Sequence, residues 1–458
     1  MISKQNPLWI EILKLAVPLI LSMIGLVLMQ FVDALFLSWY STEAIAAVVP
    51  AGMAATLIIS PFQGTAMFTS TLVAHYVGAK KPERAFGACW QGIYFSLICG
   101  LIVFVIGFAA EPLFNWAGHS EQISSLEKQY FAILCWFSFT TICGSALSGF
   151  FSGKGRTTIL MIVQLVGLGV NSILDYLLIF GRWGFPELGV SGAAIATVIA
   201  QGLVVLILFV LFLISGSAPG NPWKDRGFDL RLFQRLLHFG IPNGLRFAFE
   251  MLAWTMFLFF VGRIGDNELA ATNIVFRING FTFFPIIGLG QAVGVLVGQA
   301  QGAGDSRKTV RLTYAGFYIA EIWMVTIAVI LVLFPSEILK LFEGRGISDN
   351  YLSITALGAI LLRFVAVYSL LDACNIIFVS SLQSAGDTRW TMYFSIIVHC
   401  CFLGILMIED YLKVSIWFQW TTATIFVMVA ALAWLMRFYS GRWKDIRVIE
   451  AQVKDAYD

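Results

Sequence analysis

Four carboxylates lie where a polypeptide rarely tolerates them. Asp33 (QFVDALFL), Asp175 (SILDYLLI), Glu250 (FAFEMLAW) and Asp372 (SLLDACNI) each sit within an apolar run long enough to cross a bilayer. A charge in that setting is costly unless it faces a cavity, a partner or an ion. Asn171 precedes Asp175 by four residues, so on a helix the two side chains share one face. Two chemistries follow. Carboxylate oxygens, with the Asn171 carbonyl oxygen beside them, are hard ligands for Na+. Desolvation also disfavours the charged form of a carboxyl, which suits uptake and release of a proton. An anionic site attracts organic cations as well, and the 15% aromatic content supplies flat faces for cation–π contact. Thr197, in another apolar run, is a weaker polar candidate.

Each acid has a plainer reading. Asp33 and Asp175 fall toward the ends of their runs, where water could reach them. Asp372 could pair structurally with Arg363 or Arg277. Arg246, Arg277 and Arg363 read by default as partners of these acids or as snorkelling groups. Glu250 is hardest to explain away, lying nine or more residues from either end of its run.

The elements that must position these groups are membrane helices. Hydrophobic residues make up 59% of the 458-residue chain and charged residues 12%, about half the proportion usual in soluble proteins. The charges interrupt long apolar runs, and no alternating pattern of the β-barrel kind is present. Twelve spans are predicted, at about 9–39, 44–76, 86–110, 126–152, 157–181, 188–215, 237–263, 268–301, 311–334, 351–383, 388–408 and 414–438. The fold class is therefore all-α and integral to a membrane. Pro18, Pro61, Pro242 and Pro285 lie inside four spans, where a missing donor favours a kink.

The chain is also duplicated. Residues 18–85 recur at 242–309 with a constant offset of 224: Pro18 matches Pro242, Ala46-Ala47 match Ala270-Ala271, and Pro61 matches Pro285. Gly64 matches Gly288, and Gly78-Ala79 match Gly302-Ala303. The fourth and tenth spans end alike, in SGKGRT (152–157) and QSAGDT (383–388). Two six-helix lobes are expected, 1–215 and 237–458, joined by the basic, Gly- and Pro-bearing linker 216–236. A duplication of six spans keeps both copies in one orientation, so a pseudo-twofold axis along the membrane normal is expected. Lysines and arginines concentrate in alternate connections, which places both termini in the cytoplasm. Duplicated membrane bundles of this kind suit secondary transport.

Other chemistries lack their signatures. No phosphate-binding Gly-x-x-x-x-Gly-Lys-Ser/Thr sequence is present, and Gly288-Leu-Gly290 follows no strand, so its glycines read as close-packing sites. The four histidines and seven cysteines show no metal-ligand spacing, and no nucleophile–base set marks a membrane enzyme. A net charge of +2 gives no reason to invoke nucleic acid.

Several motifs together resemble one family. They are the Pro18 segment followed by Val32-Asp33, Gly64 with Gly78-Ala79, Asn171-x-x-x-Asp175 before Phe180-Gly181, Gln299-x-Gln-Gly302-Ala303, Glu250, and Asp372 fifteen residues before Asp387. On these the chain resembles the multidrug and toxic compound extrusion (MATE) transporters, and among them the bacterial NorM-like branch. The resemblance implies two six-helix lobes around a cavity that opens alternately to either side. It implies export of cationic, lipophilic drugs or toxins in exchange for Na+ or H+, with no cofactor. An inner-membrane monomer surrounded by lipid is expected. The ion site is expected either at Asp33, Asn171 and Asp175, with Thr197 nearby, or at Glu250 and Asp372. The alternative is a lipid-linked saccharide flippase of a related bundle fold.

Overall fold

In the computed structural model, residues 7–117, 120–216, 221–340 and 349–450 are described. The first half of the chain forms α1 (Leu8–Tyr40), α2 (Thr42–Met67), α3 (Thr69–Gly78), α4 (Pro82–Gly107) and α5 (Ala110–Ala117). Then come α6 (Glu121–Trp136), α7 (Ser138–Gly153), α8 (Thr157–Phe180) and α9 (Gly189–Ile214). The second half forms α10 (Leu230–Ile264), α11 (Asp266–Gly302), α12 (Ser306–Leu333), α13 (Pro335–Lys340), α14 (Asp349–Ser384), α15 (Thr388–Tyr411) and α16 (Ile416–Tyr439). Among the described residues, eleven helical stretches are long and apolar enough to cross a membrane, and twelve if the bent pair α6–α7 counts as one. That agrees with the twelve predicted spans.

The helix ends follow local chemistry. Ser41 caps α2 by accepting from the Ala44 N–H, and Asp305 caps α12 by accepting from the Lys308 N–H. Pro82 opens α4 at its first turn, where the missing N–H costs nothing. Gly181 closes α8 in the left-handed region, φ +62°.

The α6–α7 pair turns by 43° at Phe137, with neither proline nor glycine at the break. The opening lies in the neighbouring helix. A Cβ on Gly100 of α4 would lie 2.8 Å from Phe139 Cβ, and one on Gly107 would lie 2.8 Å from Trp136 Cδ1. These two glycines leave room for the bulky residues beside the bend.

The internal prolines do not end their helices: α1 runs through Pro18, α10 through Pro242 and α11 through Pro285. Pro61 removes a donor from the Leu57 carbonyl, and the Ser60 hydroxyl replaces it at 3.0 Å. Re-satisfying a freed carbonyl in this way is what allows proline inside a span.

The chain divides into two compact units. One comprises residues 1–20, 249–297 and 305–447, and the other residues 21–248, 298–304 and 448–458. The opening of α1 thus belongs with the unit that holds most of the second half, and the opening of α10 with the other. The first of these units is centred on an aromatic core of Phe257, Phe276, Phe402 and Trp420. The second is centred on Phe86, Phe150 and Phe212, with the Lys154 ammonium 4.4 Å from the Phe86 ring centre.

Four residues of the linker (217–220) lie outside the described residues. From Asn221 onward it straps the opening of α4. Trp90 Nε1 donates to the Pro222 carbonyl, Gln91 Nε2 to Gly227, and the Tyr94 hydroxyl to Arg226. Arg84 clasps Asp229 at 2.7 Å.

Candidate functional site

Three helices of one unit converge on a buried polar cluster. α1 supplies Asp33, α8 supplies Asn171 and Asp175, and α9 supplies Thr197. The close approach of α8 and α9 depends on Gly192, where a Cβ would lie 2.6 Å from the Leu178 carbonyl oxygen. Asn171 and Asp175 are fully buried, and Asp33 is 9% exposed. The four-residue spacing puts Asn171 and Asp175 on one helix face, as the sequence predicts.

Asn171 joins the two acids. In the amide orientation that satisfies its neighbours, Nδ2 donates to Asp33 Oδ1 at 2.9 Å and to Asp175 Oδ2 at 3.2 Å. The two carboxyls lie within hydrogen-bonding reach of each other. Thr197 Oγ1 lies 3.3 Å from Asp33 Oδ2 and 3.0 Å from the Ala193 carbonyl oxygen of its own helix. Asp175 Oδ1 is buried and takes no hydrogen bond from a described donor. The hydrated readings of Asp33 and Asp175 do not fit this burial.

A second cluster lies in the other unit. Asp372, on α14, is 7% exposed. Asn375 Nδ2, one turn on, donates to Asp372 Oδ1 at 3.3 Å and to the Val427 carbonyl of α16 at 3.1 Å. Glu250, on α10, is half-buried and close enough for its charge to act on Asp372. The hydrogen bond to Asp372 thus comes from an amide of its own helix.

Two participants are not among the residues singled out from the sequence. Tyr130 of α6 is buried and within electrostatic range of both Asp33 and Asp175. Only the fold brings it there, since nothing in QYFAIL marks the tyrosine. Asn375 carried a signal, the Asp-x-x-Asn spacing that places both side chains on one helix face.

Chemically, each cluster offers oxygen ligands in a buried or half-buried setting, which suits a hard monovalent cation or a proton. Two carboxyls side by side without water repel each other when both are charged. A bound cation relieves that repulsion. In the first cluster the amide hydrogens already point at the carboxyls, the arrangement that serves a shared proton. Binding Na+ there would need the Asn171 amide turned so that its oxygen faces the site.

Comparison with known proteins places the fold. A probable multidrug resistance protein NorM of Rhizobium meliloti is 27% identical over 402 residues, which cover 84% of this chain and 83% of that protein. Its namesake in Thermotoga maritima is 23% identical over 96% of this chain and 94% of that protein. Among solved structures, an outward-facing multidrug resistance MATE family transporter matches with a TM-score of 0.84 at 22% identity, over 95% of this chain and 97% of that one. A transporter of the MOP superfamily from Pyrococcus furiosus matches equally well, with a TM-score of 0.84 at 22% identity over 96% and 98%. The family model for MatE matches residues 18–177 and 242–408, well over half of the sequence, so the chain belongs to the MatE family.

Proposed function

We propose that the protein is a secondary active multidrug exporter, moving cationic, lipophilic compounds outward in exchange for Na+ or H+ by alternating access. The observation that carries this reading is the bridge of Asn171 between two buried carboxyls, Asp33 and Asp175. An arrangement that repels itself when fully charged is one that binds and releases a cation. The names of the NorM relatives support the drug-export half of the reading.

Coupling then needs only competition. A carboxyl holding a proton or Na+ cannot also hold a cationic drug, so loading one displaces the other. One charge moving through 100 mV supplies about 2.3 kcal/mol, roughly a fifty-fold concentration ratio. The distribution of lysines and arginines supports an inner-membrane orientation with both termini in the cytoplasm. Glu250 and Asp372, with Asn375, form the second candidate site. The chain carries out this work as a monomer among lipids.

The test is accumulation of ethidium in cells deprived of their own pumps. Cells carrying the chain are expected to retain less dye. Asp175→Asn and Asp372→Asn, made separately, identify which cluster couples. Undiminished export by both variants, expressed at the wild-type level, would exclude both assignments.

A further inference from the structure

α12 carries a fifth membrane acid, Glu321, in the run YIAEIWMV. It lies fifteen residues after the first residue of its helix and twelve before the last. Its surroundings form a regular seam against α14. Thr313 Oγ1 meets Ser381 Oγ at 3.0 Å, and four residues on, the Phe317 and Phe378 rings are 5.6 Å apart. Four residues further, Glu321 lies within electrostatic range of the Cys374 thiol. A glutamate therefore occupies a place that its seam neighbours fill with a hydroxyl and a phenyl ring.

The fit is incomplete in one respect. Glu321 Oε2 is buried and makes no hydrogen bond. From α14 the titratable group facing it is the Cys374 thiol. On the α11 side the nearby contacts are Trp323 Nε1 to the Thr282 carbonyl and Gly316 against Val293, neither of them charged. Among the described residues, no arginine, lysine or histidine exerts a charge on Glu321. The adjacent Ile322 is 70% exposed, so the residue stands at the border between the seam and the lipid-facing surface.

An unpaired carboxylate in such a place is costly, whereas a neutral carboxyl is tolerated. Cys374 is two residues from Asp372, about 3 Å along the helix axis and on the other side of α14. Cys374 thus joins the seam to the turn that carries Asp372.

We propose that Glu321 is a proton-responsive positioning residue, which lets α12 close on α14 when neutral and opens that seam when charged, displacing the turn that bears Asp372. The proposal rests on the reading of Asp372 as a coupling residue.

Two readouts test it without measuring transport, so a failure of the export reading cannot be mistaken for a failure here. The first is labelling of the reconstituted protein with a lipophilic fluorescent carbodiimide. A protonated carboxyl adds across the C=N bond, giving an O-acylisourea that rearranges to a stable N-acylurea. The peptide containing Glu321 is expected to carry the adduct, with labelling falling as pH rises through the range in which the protein stays folded, and Glu321→Gln to lose it. The second is amide exchange of residues 374–381 over the same pH range, corrected for the intrinsic pH dependence of exchange. Wild type and Asp372→Asn are expected to exchange faster at the higher pH, and Glu321→Gln to show no such step. Absence of the adduct at every pH, or a step that survives in Glu321→Gln, overturns the proposal.

Discussion

Gly302 rests against the backbone of His75: a Cβ on Gly302 would lie 2.0 Å from the His75 carbonyl oxygen. The duplicated sequence supplies the reciprocal contact. Gly78 stands 224 residues before Gly302, and Gln299 stands 224 after His75. A Cβ on Gly78 would lie 1.9 Å from the Gln299 carbonyl oxygen. A second exchange follows the same offset. Gly64 meets Gly244, while Gly288 meets Ile20, each contact within one compact unit. In each case the 224-residue offset converts one contact into the other.

Gly78→Ala and Gly302→Ala should therefore be among the most damaging small substitutions. Each forces backbone apart, at a cost of about 1–3 kcal/mol or more. Gly169 has open space around it, so Gly169→Ala serves as the control. Folded yield by size-exclusion chromatography in mild detergent should fall for the first two and hold for the third.

Asn171→Leu removes the donor that both acids share and leaves two buried carboxyls facing an apolar side chain. Efflux should drop at least about tenfold, corresponding to about 1.4 kcal/mol. Thr197→Ala should be milder, because the hydroxyl has a backbone acceptor on its own helix and only a long contact to Asp33. Equal losses in initial efflux rate for the two variants would contradict this ranking.

Asn375→Leu deprives Asp372 of its hydrogen bond and leaves the Val427 carbonyl without the amide. The cost to folding is expected to be about 1–3 kcal/mol. Thermal melting should show it, and Asn375→Gln should recover little, since its longer side chain cannot hold both distances.

The linker strap is acid-sensitive. Burial pushes Asp229 up, but the Leu232 N–H, the Arg84 guanidinium and the Arg231 N–H outweigh it and hold the carboxyl below its ordinary range. Its contribution is thus complete above about pH 3.9 and is lost as pH falls through the lower folded value. The pair is partly exposed, so the contribution is under about 1 kcal/mol. Pepsin should cut the linker of Asp229→Asn faster than that of wild type above about pH 3.9, and the difference should shrink as pH falls below it.

The spans were legible because apolar runs are bounded by charge, glycine or proline. The break at Phe137 was not, because the room beside it is left by Gly100 and Gly107 in another helix. Asp33, Asp175, Glu250 and Asp372 announced themselves by their apolar flanks, and Asn171 by its spacing. That rule also picks out Glu321, whose flanks are as apolar. Tyr130 was unreadable because tyrosine is ordinary in a span and only the packing of α6 brings it near the acids.

The central claim is that a cation gradient drives export through the Asp33–Asn171–Asp175 cluster. The most direct measurement is ethidium efflux from vesicles holding the purified protein, with pH and Na+ gradients imposed separately. Efflux is expected to follow at least one gradient and to be abolished when both are collapsed. If the pH gradient drives it, Asp175→Asn is expected to remove the dependence. Efflux that persists without either gradient, or a pH-driven efflux unchanged in Asp175→Asn, would contradict the claim.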